Sequence, residues 1–104
     1  MQPETLWEKL KQSIKKSAAT AAVKAEHLGK LGRARLDLAH TRNAIHNAFA
    51  ELGTQVYQLL EQNPDMLLAQ HETVQAQMHT IKKLEEQLKN QEIAFKNLQE
   101  TAAS

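Results

Sequence analysis

Five histidines are the residues of this chain best suited to binding a metal ion, but their spacing does not form a chelating site. A helix presents two imidazoles to one metal ion when they lie three or four residues apart. None of the five has a neighbour at that spacing: His27, His40, His46, His71 and His79. Thiolate ligands are excluded because the sequence has no cysteine. We therefore expect structural or solvent-exposed histidines, no metal ion and no other cofactor.

Side chains that could carry out catalysis do not form a motif. The sequence contains no glycine-rich phosphate loop, no nucleophile motif and no pair of carboxylates in a predicted pocket. A simple helical hairpin also lacks the concave surface that most active sites need. We therefore expect a protein that is not an enzyme and has no small-molecule substrate.

The strongest functional signal lies near the N-terminus, where apolar and basic residues alternate at helical spacing. Trp7, Leu10 and Ile14 share one face of a helix, with Leu6 beside them. The face is flanked by lysines: Lys9, Lys11, Lys15 and Lys16. Such a helix packs on other helices, an interpretation favoured because Trp7 is in phase with the repeat described next. Alternatively, its apolar residues and lysines contact an anionic membrane. Nucleic-acid binding is disfavoured by the net charge of only +1 and by the lack of interleaved aromatic residues.

A seven-residue apolar repeat predicts the elements that position these side chains. Alternating steps of three and four residues are typical of a coiled-coil seam. The predicted outgoing seam is Trp7, Leu10, Ile14, Ser17, Ala21, Lys24, Leu28, Leu31, Arg35, Leu38, Arg42, Ile45, Phe49, Leu52, Val56 and Leu59. The predicted return seam is Leu67, His71, Val74, Met78, Ile81, Glu85, Leu88, Glu92 and Phe95. Near Ile81 the phase slips, and a better stripe follows: Leu84, Leu88, Phe95 and Leu98.

The two seams predict an all-α fold: an antiparallel coiled-coil helical hairpin with an amphipathic N-terminal helix, assembling into a multi-helix bundle. Asn63-Pro64-Asp65 separates the arms, with Asn63 as the predicted cap of the returning helix and Pro64 at its first position. The predicted segments are a basic N-terminal helix (1–27), arm one (28–62), a turn (63–65), arm two (66–100) and a tail (101–104). Gly29 and Gly32 are compatible with a bend or with a continuous helix.

Charged residues at seam positions predict the register of the hairpin. When the numbers of facing residues sum to about 127, Arg42 faces Glu85 and Arg35 faces Glu92. The alternative is that all four side chains extend into solvent. Opposite net charge also favours pairing of the arms, because residues 1–50 carry nine Lys and Arg against four acids, and residues 51–104 carry four Lys against eight acids.

The segment Glu51-Leu52-Gly53-Thr54-Gln55-Val56-Tyr57, together with the basic first helix and a second helix rich in Lys, Arg and Leu, resembles a group of small bacterial proteins whose function is not established. In that group a similar helical hairpin is often followed by a short zinc ribbon with paired cysteines. The resemblance covers roughly residues 4–100 and implies a helical hairpin. It implies no zinc site here, because the ribbon and its cysteines are absent.

The surplus of apolar side chains predicts self-association. The 104 residues suit one small domain, and a two-helix seam covers only part of their apolar surface. We therefore expect a homo-oligomer whose contact includes Leu6, Trp7, Leu10, Ile14 and Phe49. No apolar run approaches the ~20 residues of a membrane span and no signal peptide is visible, so a cytoplasmic location is expected. The predicted function is that of a non-enzymatic coiled-coil interaction or scaffold protein. The alternative is a peripheral protein that binds or remodels anionic membranes through its N-terminal helix.

Overall fold

Two long helices make up most of the described part of the protein. The computed structural model describes residues 3–103, and their side chains from 5 to 101; Met1, Gln2 and Ser104 lie outside the described residues. Helix α1 spans Pro3–Gln62, a 3-10 helix spans Leu68–Gln70, and helix α2 spans Glu72–Ala103. The helices pack against each other, and the described residues contain no strand. The prediction of an all-α helical hairpin is confirmed.

Helix α1 is continuous through the glycines that allowed a bend. Neither Gly29 nor Gly32 has a positive φ, and both lie inside one 60-residue helix. The predicted N-terminal helix and arm one are therefore one element. Flanking alanine, leucine, lysine and arginine are good helix formers, and they offset the unfavourable helix propensity of the two glycines. At the other end of the chain, α2 extends to Ala103 and includes most of the predicted tail.

The connection between the helices is longer than the predicted turn, and Asn63 has a different role. The Asn63 N–H donates to the Leu59 carbonyl at 2.9 Å, which closes the last turn of α1. Its side-chain Oδ1 accepts from the Asp65 N–H at 3.2 Å, and its carbonyl accepts from the Met66 N–H at 3.1 Å. Pro64 suits the second position of this turn, because its φ is fixed. The prediction that Asn63 caps the returning helix was wrong.

Helix α2 begins six residues after the predicted start of arm two, at Glu72 rather than at residue 66. The His71 carbonyl accepts from the Gln75 N–H at 2.9 Å, so His71 occupies the position just before the helix. The Gln75 side chain also reaches back and donates from Nε2 to the Ala69 carbonyl at 2.8 Å. These bonds join α2 to the preceding 3-10 helix and fix where α2 starts.

The seam of α1 consists of two columns of residues, each with a step of seven. One of these columns was predicted correctly and the other was not. On α1 the covered side chains that keep the alternating steps are His27, Leu31, Ala34, Leu38, Thr41, Ile45, Ala48, Leu52, Gln55 and Leu59. On α2 they are Val74, Gln77, Ile81, Leu84, Leu88, Gln91, Phe95 and Leu98. The centres of the seam are well covered, with Leu38 4% and Ile81 5% exposed.

The second column of the seam on α1 consists mainly of small residues, and it replaces the predicted column that contains arginine and phenylalanine. Ala34, Thr41 and Ala48 face α2, while Arg35, Arg42 and Phe49 lie one position farther round the helix and are exposed. Burial of an unpaired guanidinium is strongly unfavourable, whereas alanine loses no side-chain entropy and lets the two helices approach closely. The predicted seam was therefore wrong in this column.

Two contacts between the arms correct the predicted register. Arg42 forms an ion pair with Glu92, with 3.7 Å between Nη2 and Oε1. The Arg35 guanidinium lies over the Phe95 ring, 5.7 Å from its centre. The predicted pairs Arg42–Glu85 and Arg35–Glu92 are therefore replaced by these contacts. Along the whole hairpin, covered residues of α1 lie opposite covered residues of α2 when the numbers of facing residues sum to about 129. The predicted sum was about 127.

The unequal lengths of the helices leave one end of α1 uncovered. The molecule measures 93 × 17 × 17 Å, and 60 residues of helix span about 90 Å, whereas the 32 residues of α2 span only about 48 Å. Every described side chain from residue 5 to residue 26 is exposed. We call this part of α1, residues 5–26, the overhang.

Candidate interaction surface

The overhang carries an apolar stripe that no other described part of the chain covers. Leu6, Trp7, Leu10 and Ile14 are 52%, 58%, 51% and 60% exposed. Their spacing places them along one side of α1 across about two helical turns. Contiguous apolar surface of this kind marks an interaction site more often than scattered apolar residues do. These four predicted interaction residues therefore lie together at one end of the molecule.

Lysines border the apolar stripe and one of them contacts it. The Lys11 ammonium lies over the Trp7 ring, 5.6 Å from its centre, which is a cation–π distance. Lys9, Lys15 and Lys16 are exposed along the same segment. The described side chains of the overhang include five lysines and two glutamates, so the segment is basic. The surface combines an apolar contact area with positive charge.

A shallow groove marks the place where α2 ends and the overhang begins. It encloses about 640 Å³, and its lining is Ala19, Thr20, Val23, Lys24, His27, Leu28 and Thr101. Most of these side chains are small or apolar, and among the described side chains Thr101 is the one that α2 contributes. The last turns of α2 thus lie beside residues 27 and 28, and the surface of α1 is open from there towards residue 5.

Phe49 does not belong to this surface, although the sequence placed it in the same contact set. It lies 35 residues beyond Ile14 on the same helix, a distance of about 50 Å. Phe49 and Met78 are 51% and 56% exposed on the hairpin itself. The structure therefore separates a terminal apolar stripe from apolar side chains on the hairpin.

The four charged residues that were predicted to set the register lie beside the seam. Arg35, Arg42, Glu85 and Glu92 are all exposed. Because the Arg42 and Glu92 side chains are 61% and 50% exposed, their ion pair is screened by water and contributes at most about 1 kcal/mol. The seam itself, rather than these charges, positions the two helices.

Sequence reasoning missed His27, Gln77 and Gln91 as polar side chains between the two helices, although it placed His71 in the predicted return seam. Four buried side-chain atoms have no hydrogen-bond partner among the described residues: His27 Nε2, His71 Nδ1, Gln77 Oε1 and Gln91 Oε1. The glutamines could have been found by following the stripe of Leu84 and Leu98, since steps of seven residues place Gln77 and Gln91 in the same column. A buried polar atom that lacks a hydrogen-bond partner is unfavourable in a folded protein.

The described residues contain no cluster of three His, Asp or Glu side chains arranged to hold a metal ion. Within the same part of the chain, neither helix has a stretch apolar and long enough to cross a bilayer.

Comparison of the chain with known protein families, with characterised proteins and with solved structures finds no match.

Proposed function

We propose that this protein is a non-enzymatic coiled-coil scaffold that self-associates in the cytoplasm, without a cofactor or a small-molecule substrate. The observation that supports this proposal is the exposed apolar stripe of the overhang. The remainder of α1 has α2 as a partner, but no other helix of the described part of the chain covers Leu6, Trp7, Leu10 and Ile14. A second helix would cover them.

The apolar stripe is large enough for weak, concentration-dependent association. Removing the exposed halves of Leu6, Leu10 and Ile14 from water contributes about 1 kcal/mol each, and Trp7 about 2 kcal/mol. Two copies together gain about 10 kcal/mol, against an association cost of about 4–15 kcal/mol. At the lower end of that cost the net gain is about 6 kcal/mol, which corresponds to a dissociation constant of tens of micromolar.

Light scattering after gel filtration, over a range of protein concentrations, tests the proposal. The mass should rise well above 11.7 kDa as the concentration increases. Ile14→Gln should keep the protein monomeric, because a polar amide replaces a side chain that the contact buries. Leu36→Gln is the matched control, since Leu36 is 56% exposed on the hairpin, outside the overhang. A wild-type protein that stays monomeric at every concentration would contradict self-association.

A second candidate function, binding to anionic membranes, is favoured by the lysines around the same stripe. Lys9, Lys11, Lys15 and Lys16 would contact lipid headgroups while Trp7 enters the interface between headgroups and acyl chains. Trp7 is the only tryptophan, so its fluorescence reports on this site alone. If the protein is monomeric, and Trp7 emission shifts to the blue only with vesicles that contain phosphatidylglycerol, membrane binding replaces self-association. Vesicles of phosphatidylcholine alone are the control.

A further inference from the structure

One column of α1 beside the seam carries large apolar side chains at both of its ends. Trp7 and Ile14 belong to this column, and so do Phe49 and Val56, because steps of seven residues relate all four. Trp7, Ile14 and Phe49 are 58%, 60% and 51% exposed, and Val56 is partly exposed. Helix α2 packs against the two seam columns instead, so the exposure of this column does not depend on how far α2 extends along α1. We call it the outer column.

The two ends of the molecule carry opposite charge. The described side chains of the overhang include five lysines and two glutamates, a charge of +3. Residues 43–81, which we call the turn end, contain four acids and no lysine or arginine, a charge of −4 with the histidines taken as neutral. Extending that range to residue 88 adds Lys82, Lys83 and two glutamates, and the charge stays at −4. Two overhangs therefore repel each other, whereas an overhang and a turn end attract.

We propose that a second copy packs antiparallel against the outer column, so that each overhang lies on the turn end of the other copy. This inference rests on the proposed self-association and names the surface that the overhang contacts. When facing residue numbers sum to about 63, Trp7 lies beside Val56 of the second copy and Ile14 lies beside Phe49 of the second copy. Two-fold symmetry repeats both contacts about 63 Å away, at the other end of the dimer. A parallel pair would instead place overhang on overhang.

Side-chain sizes on the two contact surfaces are complementary. Lys11 follows Trp7 by about one helical turn, and Gly53 follows Phe49 by the same step. An added Cβ at Gly53 meets no atom within 4 Å, so the surface there is open to a side chain of the second copy. The aliphatic stem of Lys11 suits this opening, with its ammonium group at the edge of the contact.

Helix α2 supplies an acid beside this contact. Arg42 of α1 and Glu92 of α2 form an ion pair on the same side of the hairpin. One step of seven residues towards the turn leads from this pair to Phe49 and Glu85, and both are exposed. The carboxylate of Glu85 therefore lies near the position that Lys11 of a second copy would occupy.

The opposite charges give this pairing a distinctive salt dependence. Salt screens the attraction between overhang and turn end, so the fraction of dimer should fall between low salt and physiological salt. A contact between two overhangs would strengthen under the same change, because salt screens their repulsion. A rising dimer fraction would therefore overturn the proposed pairing.

Cysteine cross-linking tests the geometry, because the sequence has no cysteine. Gly32 and Gly53 are both exposed, lie 21 residues apart on α1, and have room for an added Cβ. With the two-fold axis near residue 32, the two copies of Gly32 lie within about 6 Å of each other along the helix, whereas the two copies of Gly53 are about 60 Å apart. A disulfide or a short bismaleimide joins only the first pair. Gly32→Cys should therefore cross-link at least tenfold faster than Gly53→Cys.

A substitution at the turn end tests the same contact without cysteine. Phe49→Gln should keep the protein monomeric at concentrations where the wild type associates, as Ile14→Gln does, because Phe49 receives the overhang of the second copy. Leu36→Gln is the matched control, since Leu36 is also exposed but lies outside the outer column. Circular dichroism in reducing agent first establishes that every variant is folded.

The results separate this pairing from self-association as such. Equally fast cross-linking of both glycine positions indicates parallel copies and overturns the antiparallel pairing. If Gly32→Cys forms dimers by light scattering but cross-links no faster than Gly53→Cys, the pairing is wrong and self-association stands. The same conclusion follows if Phe49→Gln associates as strongly as the wild type. A wild-type protein that is monomeric at every concentration overturns both proposals.

Discussion

Replacing a seam glutamine by leucine should make the hairpin more stable. The Gln91 Oε1 atom is buried and has no hydrogen-bond partner among the described residues. An unsatisfied buried polar group destabilises by about 1–3 kcal/mol, and leucine has a similar size without the polar atoms. We expect Gln91→Leu to raise the free energy of unfolding by about 1–2 kcal/mol.

A second glutamine allows the expectation to be tested for additivity. The Gln77 Oε1 atom is in the same situation, and the two residues lie about 21 Å apart along α2. Distant substitutions contribute independently, so the double variant should gain about 2–4 kcal/mol. At about 4–8 °C of midpoint per kcal/mol for a domain of this size, the thermal transition should move up by roughly 10 °C or more.

Thermal unfolding followed by circular dichroism at 222 nm, at one fixed protein concentration, measures the effect. The matched control is Gln87→Leu, which makes the same chemical change on α2 at an exposed position. This control should leave the midpoint nearly unchanged. If Gln77→Leu and Gln91→Leu are no more stable than the control, these side chains do not lie in the seam, and the assignment of that column of α2 is wrong.

Two further pairs of substitutions test the seam and the continuity of α1. Ile81→Ala should lower the free energy of unfolding by about 2–4 kcal/mol, whereas Met78→Ala, one turn away and 56% exposed, should change it by less than about 1 kcal/mol; equal losses in urea titrations would contradict the observed seam. Gly32→Ala and Gly53→Ala should each raise the free energy of unfolding by about 0.5–1 kcal/mol, and with it the thermal midpoint. Both glycines lie in a helix, and an added Cβ meets no atom within 4 Å. A lower midpoint for both variants would show that another backbone packs at these positions.

The interaction surface was predictable in part. The spacing of Trp7, Leu10 and Ile14 identified an amphipathic segment from the sequence, because helical periodicity is a local property. The sequence did not show that α2 stops short of this segment, nor that Phe49 lies about 50 Å away from it. The first fact depends on where α2 starts, which the hydrogen bonds around Asn63 and His71 determine. The second depends on the continuity of α1 through Gly29 and Gly32.

The sequence by itself determined the class of fold. Large apolar residues recur every seven positions, at Leu31, Leu38, Ile45, Leu52 and Leu59. This column requires a partner helix, and it does so for either choice of the second column of the seam. Only the tertiary structure decided which column that is. Large side chains at Trp7, Ile14 and Phe49 favoured one column, but the arginines in the same column are costly to bury. The helices pack through Ala34, Thr41 and Ala48 instead, because small side chains give close contact without desolvating a charge, and such residues carry little hydrophobic signal in a sequence.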